Sequence, residues 1–266
     1  MELPPQHASV PSSRDVARYL DEVVGVGTVP DYPAALNGLQ VENLGHITGI
    51  AASVDVSLSV LDAAVKSSAN MLIVHHGLFW NGPQPIIGAL YRRFRLIFTN
   101  DLAVYASHLP LDAHPTLGNN ALLAKALDLV PSGPFNTYRG AAIGIAGECD
   151  IDTRALAARL QRVVEPYGGE VRATAVEPGR RSRRWGICTG AGASSDSLRE
   201  AVALGLDTLI VGEGPHHTAV DAPDCGLVIL FAGHYATETL GVQALARTAA
   251  THFGVPWVFL HAPTGS

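Results

Sequence analysis

Two stretches of the chain run in step. Ile50-Ala51-Ala52-Ser53 precedes Ser57, a helical pattern and Leu72-Ile73-Val74; Ile187-Cys188-Thr189-Gly190 precedes Ser194, a helical pattern and Leu209-Ile210-Val211. Each aligned position lies 137 residues from its counterpart. Each block then runs into a further apolar strand and a histidine with a carboxylate four residues on. These are His108 to Asp112 and His234 to Glu238, where the offset falls to 126. Apolar run, helix, short turn, apolar run is the pattern of a parallel α/β unit. Self-similarity at a fixed distance points to duplication of that unit. The site is then expected where the two copies meet. His75-His76 corresponds to Gly212-Glu213, and Asp112 corresponds to Glu238.

The expected fold class is α/β, with duplicated α/β units forming two layered domains. A chain of 266 residues has room for both. The proline- and glycine-rich stretch Pro131 to Tyr138 is the expected boundary. It divides the chain into residues 1–130 and 131–266, with the C-terminal segment free to pack back on the first domain. Residues 1–11 read as a loose tail. Ser13 to Val24 reads as a helix capped by Ser12 or Ser13. Thr28 to Gln40 reads as loop, Trp80-Asn81-Gly82-Pro83 as a turn and Pro178 to Arg184 as a basic turn. Leu36-Asn37-Gly38 is either a substrate loop or an ordinary turn. Thr237 to Phe253 reads as a helix and Val255 to Leu260 as a final strand.

Composition narrows the function. Hydrophobic residues make up 47% of the chain and charged residues 16%, which marks a globular protein. A net charge of -6 gives no electrostatic footprint for nucleic acid. Cys149, Cys188 and Cys225 are too far apart to suggest a disulfide framework. No apolar run has the length of a membrane span, and none opens the chain, so a soluble, cytoplasmic protein is expected.

The chemistry is in the histidines. Met71 to Val74 is an apolar run that ends in His75-His76-Gly77, so a buried strand delivers two imidazoles. Neighbours on a regular strand face opposite ways, and Gly77 would let the backbone turn. The pair therefore serves two ions, or one ion and an outer partner. The spacing of His234 and Glu238 puts both on one face of a helix start. Pro110 argues against a full helical turn from His108 to Asp112, so those two are expected to converge through a bend. His75, His76, Asp112, His234 and Glu238 make five candidate ligands, with His108 a possible sixth near the metal. Such a nitrogen and carboxylate set suits two divalent ions (zinc, iron or manganese) roughly 3.5–4 Å apart, with bridging carboxylates. Glu213 and His217 are the candidates for catalytic proton handling, and His216 is expected to be exposed. Thr189-Gly190-Ala191-Gly192 is either an anion-binding turn or simply a tight one. Arg92, Arg93 and Arg95 either attract an anionic ligand or form a solvated helix face.

With these motifs in view, the sequence resembles the NIF3-like family, also called the GTP cyclohydrolase I type 2 homologue family. The resemblance rests on Asn37-Gly38-Leu39-Gln40-Val41, Ile73-Val74-His75-His76-Gly77 and His108-Leu109-Pro110-Leu111-Asp112-Ala113-His114. It rests also on Gly118-Asn119-Asn120, Cys188-Thr189-Gly190, Gly212-Glu213 and Gly233-His234 with Glu238. It covers about Asn37 to Pro263. It implies two α/β domains and a dinuclear metal site with His75, His76, Asp112, His234 and Glu238 as ligands. His108 and His217 match positions close to the metals. It further implies a toroidal homohexamer with sites facing an internal cavity. The loop Gly214-Pro215-His216 departs from the bulkier residues common in the family. The function expected is a metal-dependent hydrolase of a small, nucleotide-like substrate, using a metal-activated hydroxide. The alternative is a non-catalytic metal-binding ring, a metallochaperone or a scaffold.

Overall fold

The computed structural model describes residues 10–80, 82 and 84–265. Most of the expected tail, and positions 81 and 83 of the expected turn, lie outside the described residues. Helix α1 (Ser13–Val24) opens on Ser12, whose side chain accepts from the Asp15 amide while Asp15 returns the contact in a capping box. It closes on Gly25 at φ 63°, a left-handed C-cap that favours glycine.

The first half then forms β1 (Gly38–Val41), β2 (Ile50–Asp55), α2 (Leu58–Lys66), β3 (Met71–His76), α3 (Gly88–Thr99) and β4 (Ala103–Ala106). Two short helices follow, α4 (Leu109–Asp112) and α5 (Asn119–Ala126). The second half forms β5 (Pro131–Tyr138), β6 (Ala141–Asp152), α6 (Thr153–Val164), β7 (Arg172–Ala173) and β8 (Arg181–Cys188). It continues through α7 (Ser195–Ala203), β9 (Thr208–Val211), α8 (His216–Asp224) and β10 (Val228–Phe231) to α9 (His234–Thr237), α10 (Thr239–Phe253) and β11 (Trp257–Phe259).

The strands form two sheets, ordered β1-β4-β3-β2-β11 and β5-β6-β8-β9-β10-β7. The duplication is visible in this order. In the first sheet β2, β3 and β4 are parallel, and β1 runs antiparallel along β4. In the second β8, β9 and β10 are parallel, and β7 runs antiparallel along β10. The copies differ on the other side, where β11 is parallel to β2 but β6 is antiparallel to β8. Each sheet is packed on both faces. Around the first, α1 and α10 bury Val16, Leu20, Val242 and Leu245 against Ile50, Met71 and Ile73, while Leu61 and Ile97 cover Leu72 and Val104. Around the second, Leu123, Leu156 and Leu160 pack on Trp185 and Ile210, while Leu198 and Ala222 pack with Phe135 and Leu209. The chain's last helix and strand thus return to the first sheet.

Several expectations need correction. The segment read as loop ends in β1, whose Gly38-Leu39 pair with Ala106-Tyr105. Pro131 to Tyr138, the expected boundary, is itself a strand. It sits at the sheet edge, where proline removes no ladder hydrogen bond that the sheet needs. The basic turn becomes the start of β8 from Arg181. His216 and His217 open a helix where the sequence reading assigns none. Leu109 to Asp112 does form a helical turn despite Pro110, because proline in a first turn lacks only an amide that would go unpaired there.

Candidate metal centre

The parallel strands of both sheets end toward one another, and their ends carry the site. β3 delivers His75 and His76. The turn after β4 places His108 and then Asp112 on α4. β10 leads to Gly233, then His234 on α9, with Glu238 just beyond. Burial is severe for a set so polar. His75 is 0% exposed, Glu238 3% and Asp112 8%.

The carboxylate of Glu238 is the hub. One oxygen, Oε1, lies 3.5 Å from Nε2 of His75. The other, Oε2, lies 3.4 Å from Nε2 of His76 and 3.2 Å from Nε2 of His234. Asp112 Oδ2 closes the first side at 3.3 Å from Nε2 of His75. Two sets of potential ligand atoms result, His75-Asp112-Glu238 and His76-His234-Glu238, each with its atoms within 4.8 Å of one another. His108 forms a third such set with His75 and His76. The concern over adjacent histidines on one strand is resolved by Glu238. The two rings, 4.8 Å apart, reach different oxygens of the same carboxylate.

Each ring is held through its other nitrogen. His75 Nδ1 lies 2.9 Å from the Ser107 carbonyl, and His76 Nδ1 lies 2.9 Å from Asp55 Oδ1. His108 Nδ1 lies 2.8 Å from Asp31 Oδ1, and His234 Nδ1 lies 2.7 Å from Glu213 Oε1. Acceptors at Nδ1 fix the tautomer that leaves Nε2 free, an outer arrangement typical of metal-ligating imidazoles. Asn119 donates to Asp112 Oδ1 at 2.8 Å and accepts from the Gly241 amide, tying the carboxylate to α10.

The electrostatics follow. Burial opposes protonation of His75, yet the facing charges of Asp112 and Glu238 lift its pKa well above the ordinary value. Burial opposes charge on Glu238 as well, but His75 and His76 outweigh it and hold that carboxyl well below the usual range. His234 is raised to about 9, with Glu238 and then Glu213 overcoming burial. At His108 burial prevails and lowers the pKa despite Asp31. Burial, with Asp112 adding to it, pushes the Cys188 thiol up to about 12.

A metal fits this set on structural grounds. Among the buried side-chain atoms without a hydrogen-bond partner are His75 Nε2, His234 Nε2 and Glu238 Oε2. These atoms face imidazole or carboxylate neighbours at 3.2–3.5 Å without hydrogen-bond geometry, and their convergence from both halves of the chain supplies the donors that divalent ions take. The cluster opens on a cavity of about 650 Å³ lined by Tyr32, Trp80, Tyr138, Asn136, Cys188 and others. A second cavity, of about 410 Å³, shares His76, Trp80 and His234 with it.

The sequence candidates divide accordingly. His75, His76, His108, Asp112, His234 and Glu238 come together. Glu213 reaches the site only through His234. His217 does not join it: its Nε2 lies 3.1 Å from Ser195 Oγ, and its ring lines neither cavity. Gly77 does not take a left-handed φ; its small size instead makes room for the Gln40 side chain, whose Oε1 accepts from the Leu78 amide. The Gly190 amide donates to Thr237 Oγ1, which favours the tight-turn reading of that segment. Sequence reasoning missed Asp31, Asp55 and Ser107, and it singled out Asn119 only as part of a family motif, without its contact to Asp112. Asp55 was findable, since it ends β2 in register with His76.

A duplicated α/β protein with an imidazole and carboxylate cluster between its halves is the class that fold and site define. The chain belongs to the Duf34/NIF3 (NGG1p interacting factor 3) family, whose profile matches residues 11–264. It is 43% identical to a GTP cyclohydrolase 1 type 2 homolog from Deinococcus radiodurans, covering 94% of this chain and 93% of that protein. Among solved structures, a protein ybgI of unknown function is 31% identical at a TM-score of 0.85, covering 96% of this chain and 100% of that one. The protein TTHA1606 from Thermus thermophilus is 32% identical at a TM-score of 0.78, covering 96% of this chain and 100% of that one. Among the described residues, no helix is long and apolar enough to cross a membrane.

Proposed function

We propose that this protein is a metal-dependent hydrolase of a small, nucleotide-like substrate, with His75, Asp112 and Glu238 holding one divalent ion and His76, His234 and Glu238 a second. The observation that carries this reading is the convergence of unpartnered buried Nε2 and carboxylate atoms at the floor of an open cavity. Two ions bound there would supply water activation and charge neutralisation. The chain's own groups do the rest. Ser107, Asp55 and Glu213 hold the ligand rings in one tautomer. Tyr32, Trp80 and Tyr138 offer aromatic faces beside the cluster, suited to a planar substrate. Cys188 lines the same cavity, and burial raises its thiol pKa to about 12.

The names of the curated relatives support the substrate class. The reading includes a homohexameric ring in the cytoplasm. Exposed Ile86, Ile87, Tyr91 and Phe98, on and just before α3, provide apolar surface for assembly. Three free cysteines agree with a reducing compartment. The test is a screen of the metal-reconstituted protein against nucleotides, phosphoesters and cyclic amides, with His75→Ala as control. Turnover that depends on metal and disappears in a folded His75→Ala protein supports the hydrolase. Normal metal uptake with no turnover across the panel favours the metallochaperone or scaffold.

A further inference from the structure

We propose that Arg93 is a binding residue for an anionic oxygen group, a phosphate or a carboxylate, carried by the molecule that occupies the metal centre. The proposal rests on the metal-site reading for its location and adds the charge and orientation of the ligand.

The two cavities that meet at His76, Trp80 and His234 differ in charge. The larger has Asp112, Asp196 and Glu238 in its lining and no lysine or arginine among the described residues. The smaller is lined by Arg93 with Ser57, Asp55, Tyr235 and Thr264. Its acid, Asp55, is engaged by His76 Nδ1 at 2.9 Å. Arg93 is the one permanent cation among its described lining residues.

Among the described residues, Arg93 also has no acidic partner. It stands half-buried on α3 between exposed Arg92 and the core residue Phe94. Arg14, Arg18, Arg181 and Arg199 all have carboxylate partners, whereas no ion pair involves Arg93 among the described residues. Its Nε is buried and has no hydrogen-bond partner among the described residues. A buried guanidinium N–H without an acceptor is costly, and a charge-assisted bond donated to an oxyanion removes that cost. The planar fork of arginine matches phosphate and carboxylate oxygens. A ligand that spans both cavities would place its anionic end toward Arg93 and away from Asp196. This singles out Arg93 from the three arginines of the helix.

The experiment titrates inorganic phosphate and acetate separately into the zinc-loaded protein by calorimetry, for wild type, Arg93→Gln and Arg93→Lys. Zinc per chain is measured in each. The expected result is a roughly tenfold to hundredfold loss of affinity for at least one anion in Arg93→Gln. Arg93→Lys should fall between, and zinc content should stay at the wild-type value. The anion that is weakened identifies the group. Equal affinity in wild type and Arg93→Gln, or no binding of either anion to wild type, overturns the proposal. If no form takes up zinc, the metal reading fails on its own. The same titrations on metal-free protein then decide the role of Arg93.

Discussion

Glu213 holds His234: its Oε1 lies 2.7 Å from Nδ1 of the ring, while Nε2 of the same ring lies 3.2 Å from Glu238 Oε2. A residue at the end of β9 thus acts on the cluster through a histidine brought in after β10. Its place in the repeat is that of His76, so one copy supplies a ligand where the other supplies a support. Glu213→Gln keeps an acceptor but removes the charge behind the ring. Zinc affinity at the His76-His234-Glu238 side should fall about 10–100-fold. Competition with a chromophoric chelator measures this. An unchanged affinity would remove Glu213 from the site.

Glu238 is the one residue common to both ligand sets. Asp112→Asn and His234→Ala should each weaken one ion and spare the other. Glu238→Ala should weaken both. Metal analysis after passage through a weak chelating resin distinguishes these cases. The expected values are near one ion per chain for the single-side variants and near none for Glu238→Ala. Retention of one tightly bound ion by Glu238→Ala would show that the carboxylate is not shared.

The repeat and the cluster of candidate ligands were both legible because each depends on local pattern. Strand ends in parallel α/β units carry functional groups, and His75, Asp112, His234 and Glu238 all follow apolar runs. Asp31 was not legible. It reaches His108 from a loop with no periodicity, across 77 positions of sequence. The strand β5 was hidden by Pro131 and Pro134, which are tolerated only because the strand lies at an edge. Gly77 was misread for a different reason. A glycine can be required by a neighbouring side chain, here Gln40, and sequence does not separate that from a backbone requirement.

Assembly can be tested independently of activity. Light scattering on the eluted peak should give six times the 27.9 kDa chain mass. Replacing exposed Ile87 and Phe98 with glutamate should lower that mass if the α3 surface lies in the ring contact. A monomer for the unaltered chain would exclude the ring.

The raised pKa of His234 fixes the direction of a pH effect. Its pKa in the folded protein is about 9 against an ordinary 6.5. In metal-free protein the protonated ring therefore contributes stability that is complete below about 6.5 and is lost as pH rises through about 9. His75 is raised as well and acts in the same direction. The metal-free protein should melt at progressively lower temperature between pH 6.5 and 9. Zinc binding must displace these protons, so zinc affinity should rise over the same interval. Melting curves with and without chelator at several pH values test both slopes. A flat or rising melting temperature for the metal-free form would contradict the assignment.

Gly190 gives the sharpest separation of site from scaffold. Its φ is +61°, and a β-carbon built there collides with Oε1 of Glu238 and comes within 3.2 Å of His234 Nε2. Gly190→Ala therefore incurs two penalties, left-handed backbone strain of roughly 1–2 kcal/mol and displacement of the shared carboxylate. Gly226 provides the control. Its φ is +73°, and among the described residues nothing lies within 4 Å of a β-carbon built there. Gly226→Ala should lower the melting temperature by a few degrees and bind zinc as the unaltered protein does. Gly190→Ala should lower it comparably or more and lose zinc affinity on both sides of Glu238. Equal zinc binding by the two variants would mean that the carboxylate can move without loss, and that the close fit of Gly190 against Glu238 does not position the metal centre.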